Sequence, residues 1–287
     1  MNLPGSAWPA LTRSDCRAVF MTRIERRFSE LKAAGRTGLI PFVTAGDPLP
    51  EAMVPLMHAL VAAGADLIEL GLPFSDPMAD GPVIQHASER AIARGTGLTQ
   101  VLAWVAEFRR DDPATPVILM GYLNPIEIHG YARFAEEARV AGIDGVLLVD
   151  CPLEESGMLE PLRQAGLDQI LLAAPTTAPD RLAQLCEAAR GFLYYVSFAG
   201  ITGAARLSTA DIADRVAGIR SRSQVPVAVG FGIRDADSAR AVAAFADAVV
   251  IGSALVETLA EAGGKDDLIE RAGHFLAPIR LALDNDS

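Results

Sequence analysis

The chain has 287 residues, of which 51% are hydrophobic and 21% charged, and it carries a formal charge of −11. That length suits one large barrel or two small domains, and the acidic balance argues against nucleic acid or an anionic membrane as the main partner. An anionic small substrate stays open, because local backbone dipoles can overrule net charge.

Residues 1–21 read as a loosely ordered extension, since MNLPGSAWPALTRSDCRAVF holds Pro, Arg and Asp but no continuous apolar run. A barrel domain is expected over 22–287, its first helix starting near Thr22. Eight apolar runs then follow as strand candidates. They begin near Gly38, Asp66, Pro116, Asp144, Asp168, Phe192, Val225 and Asp247. Amphipathic stretches such as EAMVPLMHALVAAG, YARFAEEARVAG and DSARAVAAFA separate them. A small theme repeats: AGADLIELG at 63–71, AGIDGVLLVD at 141–150, AGLDQILLAA at 165–174, and a degenerate AFADAVVIGS at 244–253. Each copy is a helix end, usually with Gly where the chain needs positive φ, leading into a strand buried on both faces. Regular alternation of strand and helix predicts right-handed βαβ units, and eight of them predict a single-domain (β/α)₈ TIM barrel. An open doubly wound sheet is the rival; it would show GxGxxG after its first strand, where PFVTAGDP stands.

The longest connection follows the second strand. It holds ELGLPFSDPMADGP (69–82) and two helical patterns, 82–93 and 98–110, on the face where barrel enzymes keep their chemistry. Glu69 ends the second strand, so it is either a general acid or base desolvated at the barrel mouth or an ordinary salt-bridged glutamate. Asp80, before Gly-Pro, is either a functional carboxylate or the cap of a helix starting near Pro82, while Asp76 fits a plain turn. Glycine loops after strands seven (Gly230-Phe231-Gly232) and eight (Gly252-Ser253, leading into a helix) predict a phosphate cradle of backbone N–H groups that needs no Lys or Arg. Gly200-Ile201-Thr202-Gly203 reads as a lid over the same anion or as a flexible loop. Tyr122-Leu-Asn124-Pro125 either positions a ligand or starts a helix, and Tyr194 and Tyr195 point to opposite faces of the sixth strand. Cys16, Cys151 and Cys186 lack CxxC spacing, and the four histidines lack ligand spacing, so a reducing cytosol fits and no metal site is expected. Cys151 reads as packing and His86 as a solvated helix residue.

FVTAGDP, IELGLPFSDPMADGPVIQ, GYLNPI, GVLLVDCPLEES, YYVSFAGITG, VAVGFGI and VIGSALV, taken in order, resemble the motifs of the tryptophan synthase alpha subunit family over about residues 22–280. The resemblance implies a barrel that cleaves indole-3-glycerol phosphate to indole and glyceraldehyde 3-phosphate in a retro-aldol reaction. It places the acid–base glutamate on Glu69 and the second catalytic carboxylate on Asp80. Phe42, Tyr122, Leu147 and Phe231 are expected to line the indole pocket, with Tyr194 and Ile84 near the glycerol. Thr202 is expected to meet Asp80 when the lid shuts, and Gly203, Gly232, Gly252 and Ser253 to hold the phosphate. No metal or cofactor is implied for this chain. Pyridoxal phosphate would belong to a beta subunit that receives the indole within a cytoplasmic α₂β₂ complex. A stand-alone lyase or another phosphosugar barrel is the alternative. Phe198 departs from the family pattern, in which many bacterial members carry Arg at that place in YxxSRxGxTG.

Overall fold

The computed structural model describes residues 21–196, 209–230 and 232–284. Nine parallel strands form one sheet: β1 (Gly38–Thr44), β2 (Ile68–Gly71), β3 (Val117–Gly121), β4 (Gly145–Leu148), β5 (Asp168–Gln169), β6 (Leu171–Ala173), β7 (Leu193–Val196), β8 (Val227–Gly230) and β9 (Ala248–Ile251). The order β5-β4-β3-β2-β1-β9-β8-β7-β6 runs round a ring whose two ends are separated in sequence by Ile170 alone. The expected eighth-part repeat is therefore met, with its fifth strand broken in two. Asp168 and Gln169 pair with β4, Leu171 to Ala173 pair with β7, and the Ile170 N–H donates to Val146 O between the two segments. A closing barrel imposes such a stagger on one strand.

Alternation along the strands sorts the side chains. Ile40, Leu67, Ile118, Leu147, Ile170 and Phe192 fill the barrel interior, whereas Leu39, Ile68, Leu119 and Val146 turn outward against the helices. The floor is closed by the helix Arg23–Ala33. Thr22 starts it with a reciprocal capping box: its hydroxyl accepts the Glu25 N–H, and the Glu25 carboxylate accepts the Thr22 N–H. Ile24, Phe28 and Leu31, one face of that helix, are buried with the interior residues, each contributing about 1.5–3 kcal/mol by its removal from water.

The repeated Asp of the AGxD theme has a structural task at this floor. Asp66, Asp144 and Asp247 each accept a backbone N–H from the start of the preceding strand, namely Leu39, Val117 and Val227 at 3.0, 2.8 and 2.8 Å. Gly64 and Gly142, two residues before Asp66 and Asp144, hold φ of +98° and +92°, as the turn requires, and Gly166 stands likewise before Asp168 at +82°. Asp168 differs. It takes only the Thr22 hydroxyl, at 3.3 Å, and burial with the nearby Glu25 charge pushes its carboxyl up to about 6.

The helices expected at 82–93 and 98–110 are Pro82–Ala93 and Leu98–Phe108. The second ends two residues early, and Arg109, its C-cap, reaches Gly142 O, Thr115 O and Asp144. The expected extension lies outside the described residues except for Met21. Among the described residues, no helix is long and apolar enough to cross a membrane.

Candidate active site

Glu69 lies in the middle of a strand whose neighbours Ile68 and Leu70 face outward, so its side chain must face the barrel interior. Its register partners are Phe42 on β1 and Ile118 on β3, and it is fully buried. Among the described residues, neither carboxylate oxygen has a hydrogen-bond partner. The salt-bridge reading of Glu69 is thereby set aside. Burial alone pushes this carboxyl up to about 8, so it holds its proton at neutral pH. Tyr194 lies on the same cavity; its burial and the Glu69 charge both raise its phenol. Gly230 makes room for that ring, since a β-carbon there would collide with the Tyr194 hydroxyl.

Asp80 is not a helix cap. Gly81 takes the N-cap position of Pro82–Ala93, with no side-chain cap bond. Instead the Tyr122 hydroxyl donates to Asp80 Oδ2 at 3.1 Å and accepts the Ala79 N–H at 2.9 Å. Gln85 Nε2 donates to Asp80 O at 2.8 Å. Desolvation raises the Asp80 carboxyl, and the Tyr122 bond opposes that rise. The helix behind this loop is itself fixed: Arg90 makes a two-pronged pair with Asp47 at 2.7 and 2.8 Å.

The two carboxyl groups line adjoining compartments. Glu69 lines a cavity of about 340 Å³ with Phe42, Ile84, Met120, Tyr194 and the glycine turns. Asp80 lines a cleft of only about 10 Å³ with Tyr122, Thr44 and Val149. Phe42, Ile84 and Met120 belong to both and form the partition between them. In this conformation the cleft is too small for a fused aromatic ring, so a ring reaching Asp80 must displace part of that partition.

Across the larger cavity stand Gly230, Gly232, Gly252 and Ser253. The helices that follow β8 and β9 differ at their starts. Ala236–Ala243 is closed by its own capping box, with Asp235 accepting the Ser238 N–H. Ser253–Ala260 has Gly252 at its N-cap and no side-chain cap. The second helix therefore keeps its first-turn N–H groups and positive dipole end for whatever occupies the cavity. Gly232 adopts φ +42°, and nothing lies within 4 Å of where its β-carbon would be.

Of the residues expected at the site, Phe42, Ile84, Tyr194, Gly232, Gly252 and Ser253 meet on the Glu69 cavity, and Tyr122 stands on the Asp80 cleft. Leu147 is fully buried in the barrel interior and lines neither compartment. Thr202, Gly203 and Phe231 lie outside the described residues, as does Phe198. Asp150 accepts the Leu123 N–H at 2.8 Å and so anchors the helix Leu123–His129. His86 is exposed beside Glu89, and Cys151 is a buried thiol raised by its burial. Sequence reasoning missed Met120, Thr44 and Arg234. Met120 was within reach, because it sits two residues before Tyr122 on the same strand face.

Fold and site define a class: a (β/α)₈ barrel whose mouth sets a buried, uncharged carboxyl group opposite an uncapped helix start framed by glycines. The family model for the tryptophan synthase alpha chain matches residues 28–277. The tryptophan synthase alpha chain of Xylella fastidiosa (strain 9a5c) is 60% identical over 265 residues, covering 92% of this chain and 99% of its own. That of Xanthomonas euvesicatoria pv. vesicatoria is 61% identical over 266 residues, with the same coverage. The crystal structure of tryptophan synthase subunit alpha from Legionella pneumophila str. Paris aligns with a TM-score of 0.86 and 46% identity, covering 92% and 99% of the two chains. The chain belongs to the tryptophan synthase alpha chain family.

Proposed function

We infer that this chain cleaves indole-3-glycerol phosphate to indole and glyceraldehyde 3-phosphate, as the alpha partner of a tryptophan synthase beta subunit in an α₂β₂ complex in the cytoplasm. One observation carries the reading. Glu69 is a fully buried carboxyl without a partner, held protonated near neutrality, on the cavity that also contains the uncapped Ser253–Ala260 helix start.

The chemistry follows from that protonation state. Breaking the bond between indole C3 and the glycerol C3′ requires a proton on indole C3, which turns the ring into a cationic indolenine. Protonated Glu69 supplies it. The resulting carboxylate takes the proton of the C3′ hydroxyl, the C3′ oxygen becomes the aldehyde carbonyl, and the bonding pair returns to the ring as indole leaves. Glu69 ends the cycle protonated. Asp80 accepts the indole N–H, where positive charge develops, and Tyr122 aims that carboxylate. Main-chain N–H groups of Gly203, Gly232, Gly252 and Ser253 hold the phosphate, and Thr202 meets Asp80. Phe42, Tyr122 and Phe231 line the indole ring, with Ile84 and Tyr194 near the glycerol. Two proton transfers accompany the carbon–carbon cleavage and the ring takes up the bonding pair, so the reading assigns this chain no metal or cofactor, and pyridoxal phosphate belongs to the beta subunit.

The beta partner fits the mouth. Met78, beside Asp80, is 81% exposed, and Ile128, on the helix after β3, is 79% exposed. Two large exposed apolar side chains on the segments that follow β2 and β3 suit a protein contact. The test is indole release from indole-3-glycerol phosphate by the purified chain, alone and with a beta subunit. Slow release alone and faster release in the mixture is the expected result. No release in either condition rejects the activity, and release that a beta subunit neither binds nor accelerates rejects the partnership.

A further inference from the structure

The phosphate end of the cavity carries a charge that a purely main-chain cradle does not include. Arg234 lines the cavity together with Gly232, Gly252 and Ser253, and it is the one Lys or Arg among the described residues that do so. Its place is fixed from behind. Ile233 is buried, and the Arg234 N–H donates to Ser238 Oγ at 3.0 Å, joining the capping box that starts Ala236–Ala243. The main chain of Arg234 is thus occupied, and its side chain is exposed at the rim. The adjacent carboxylate, Asp235, is bound to the Ser238 N–H and hydroxyl at 2.8 and 2.7 Å. The other carboxyl group on the cavity, Glu69, is held uncharged by burial.

On the reading that a phosphate monoester sits at the glycine turns, we propose that Arg234 is its cationic contact, drawing the dianion to the cradle and holding it there. A chain of formal charge −11 repels a dianion at long range. Helix-start N–H groups act as dipoles whose pull fades within about one turn. A guanidinium at the rim acts as a full charge over about a Debye length, 8–10 Å in ordinary buffer. Arg234 sits at the phosphate end rather than beside the breaking bond, so its contribution belongs to ground-state and transition-state binding alike. That makes it a positioning residue, expressed in KM and in salt dependence rather than in kcat.

The experiment is calorimetric titration of inorganic phosphate and of glycerol 3-phosphate into wild type, Arg234→Gln, Arg234→Met and Arg234→Lys at low and high salt, alongside steady-state cleavage. Removing the charge should weaken both ligands about three- to tenfold, the size of a charged contact discounted for exposure. The neutral variants should also show a shallower salt dependence and a matching rise in KM, with kcat within about twofold of wild type. Arg234→Lys should restore most of the affinity. Neutral variants with wild-type affinity and salt slope overturn the proposal while leaving the cradle standing. A wild type that binds neither phosphate ligand removes the cradle and this contact together.

Discussion

Tyr122 and Asp80, 42 residues apart in sequence, are joined by a 3.1 Å hydrogen bond from phenol to carboxylate, and the same phenol oxygen accepts the Ala79 N–H. One hydroxyl therefore fixes both the main chain and the carboxylate of the loop after β2. Tyr122→Phe keeps the ring and loses both bonds. Steady-state assays should show kcat/KM reduced about 10- to 30-fold, while thermal melts reveal a stability change within about 1 kcal/mol, because Gln85 still holds the loop from its other side.

Glu69→Gln should abolish cleavage, by about 10³-fold or more, since an amide can neither give nor take the proton. The same variant should be more stable than wild type at alkaline pH. A native-state carboxyl raised to about 8 keeps a proton that the unfolded chain sheds above about 4.5. Wild type therefore loses stability as pH climbs between those two values, and the variant does not. Urea denaturation at pH 5 and pH 8.5 should show the gap widening with pH, bounded at roughly 4–5 kcal/mol by the size of the shift.

The pH profile of wild-type turnover gives an independent check. Glu69 acts first as an acid, so kcat/KM should fall about tenfold per unit once pH passes about 8. A profile flat to pH 10 would separate Glu69 from the proton delivered to indole C3.

Gly230→Ala places a methyl group against the Tyr194 hydroxyl. With Tyr194 half-buried and the Gly230 strand paired on both sides, the collision should cost about 1–3 kcal/mol in urea denaturation. KM should rise as well, because Tyr194 can yield only into the cavity it shares with Glu69.

At the floor, Asp144→Ala should be the most disruptive of the repeated aspartates. Its carboxylate holds Arg23, Arg109 and the Val117 N–H at 2.7–2.8 Å. Removing it strands the buried Arg109 guanidinium, a loss of about 3–5 kcal/mol measurable by urea denaturation. Asp168→Asn acts in the opposite direction: with its carboxyl raised to about 6 by burial, the charged form costs stability at neutral pH, so the amide should stabilise the chain at pH 7, by up to about 3 kcal/mol, and the gain should vanish below about pH 4.

Much of the barrel was legible because it depends on local rules. The doubly buried runs could belong only to interior parallel strands, and the AGxD repeats marked where helices end and strands begin. The split at Ile170 was not legible, because it reflects the stagger of a closing ring rather than anything local to DQILLA. Glu69 was visible as a strand-end acid, but its protonation was not. That state depends on Phe42 from β1 and Ile118 from β3 flanking it, with no hydrogen-bond partner for its oxygens among the described residues.

Asp80 illustrates the division further. A carboxylate before Gly-Pro reads as a cap by local rules, and only the approach of Tyr122 from another strand gives it a different task. Arg234 was missed in the sequence, and only the pairing of β8 with β9 brings its loop beside Gly252. The sequence by itself determined the alternation of strands and helices, the glycine turns and the acids at strand ends, since these follow from backbone geometry and side-chain period. Tertiary structure alone decided which acid keeps its proton, which helix start stays open, and that a partition of Phe42, Ile84 and Met120 divides the mouth. Those properties arise from groups distant in the chain excluding water from one another.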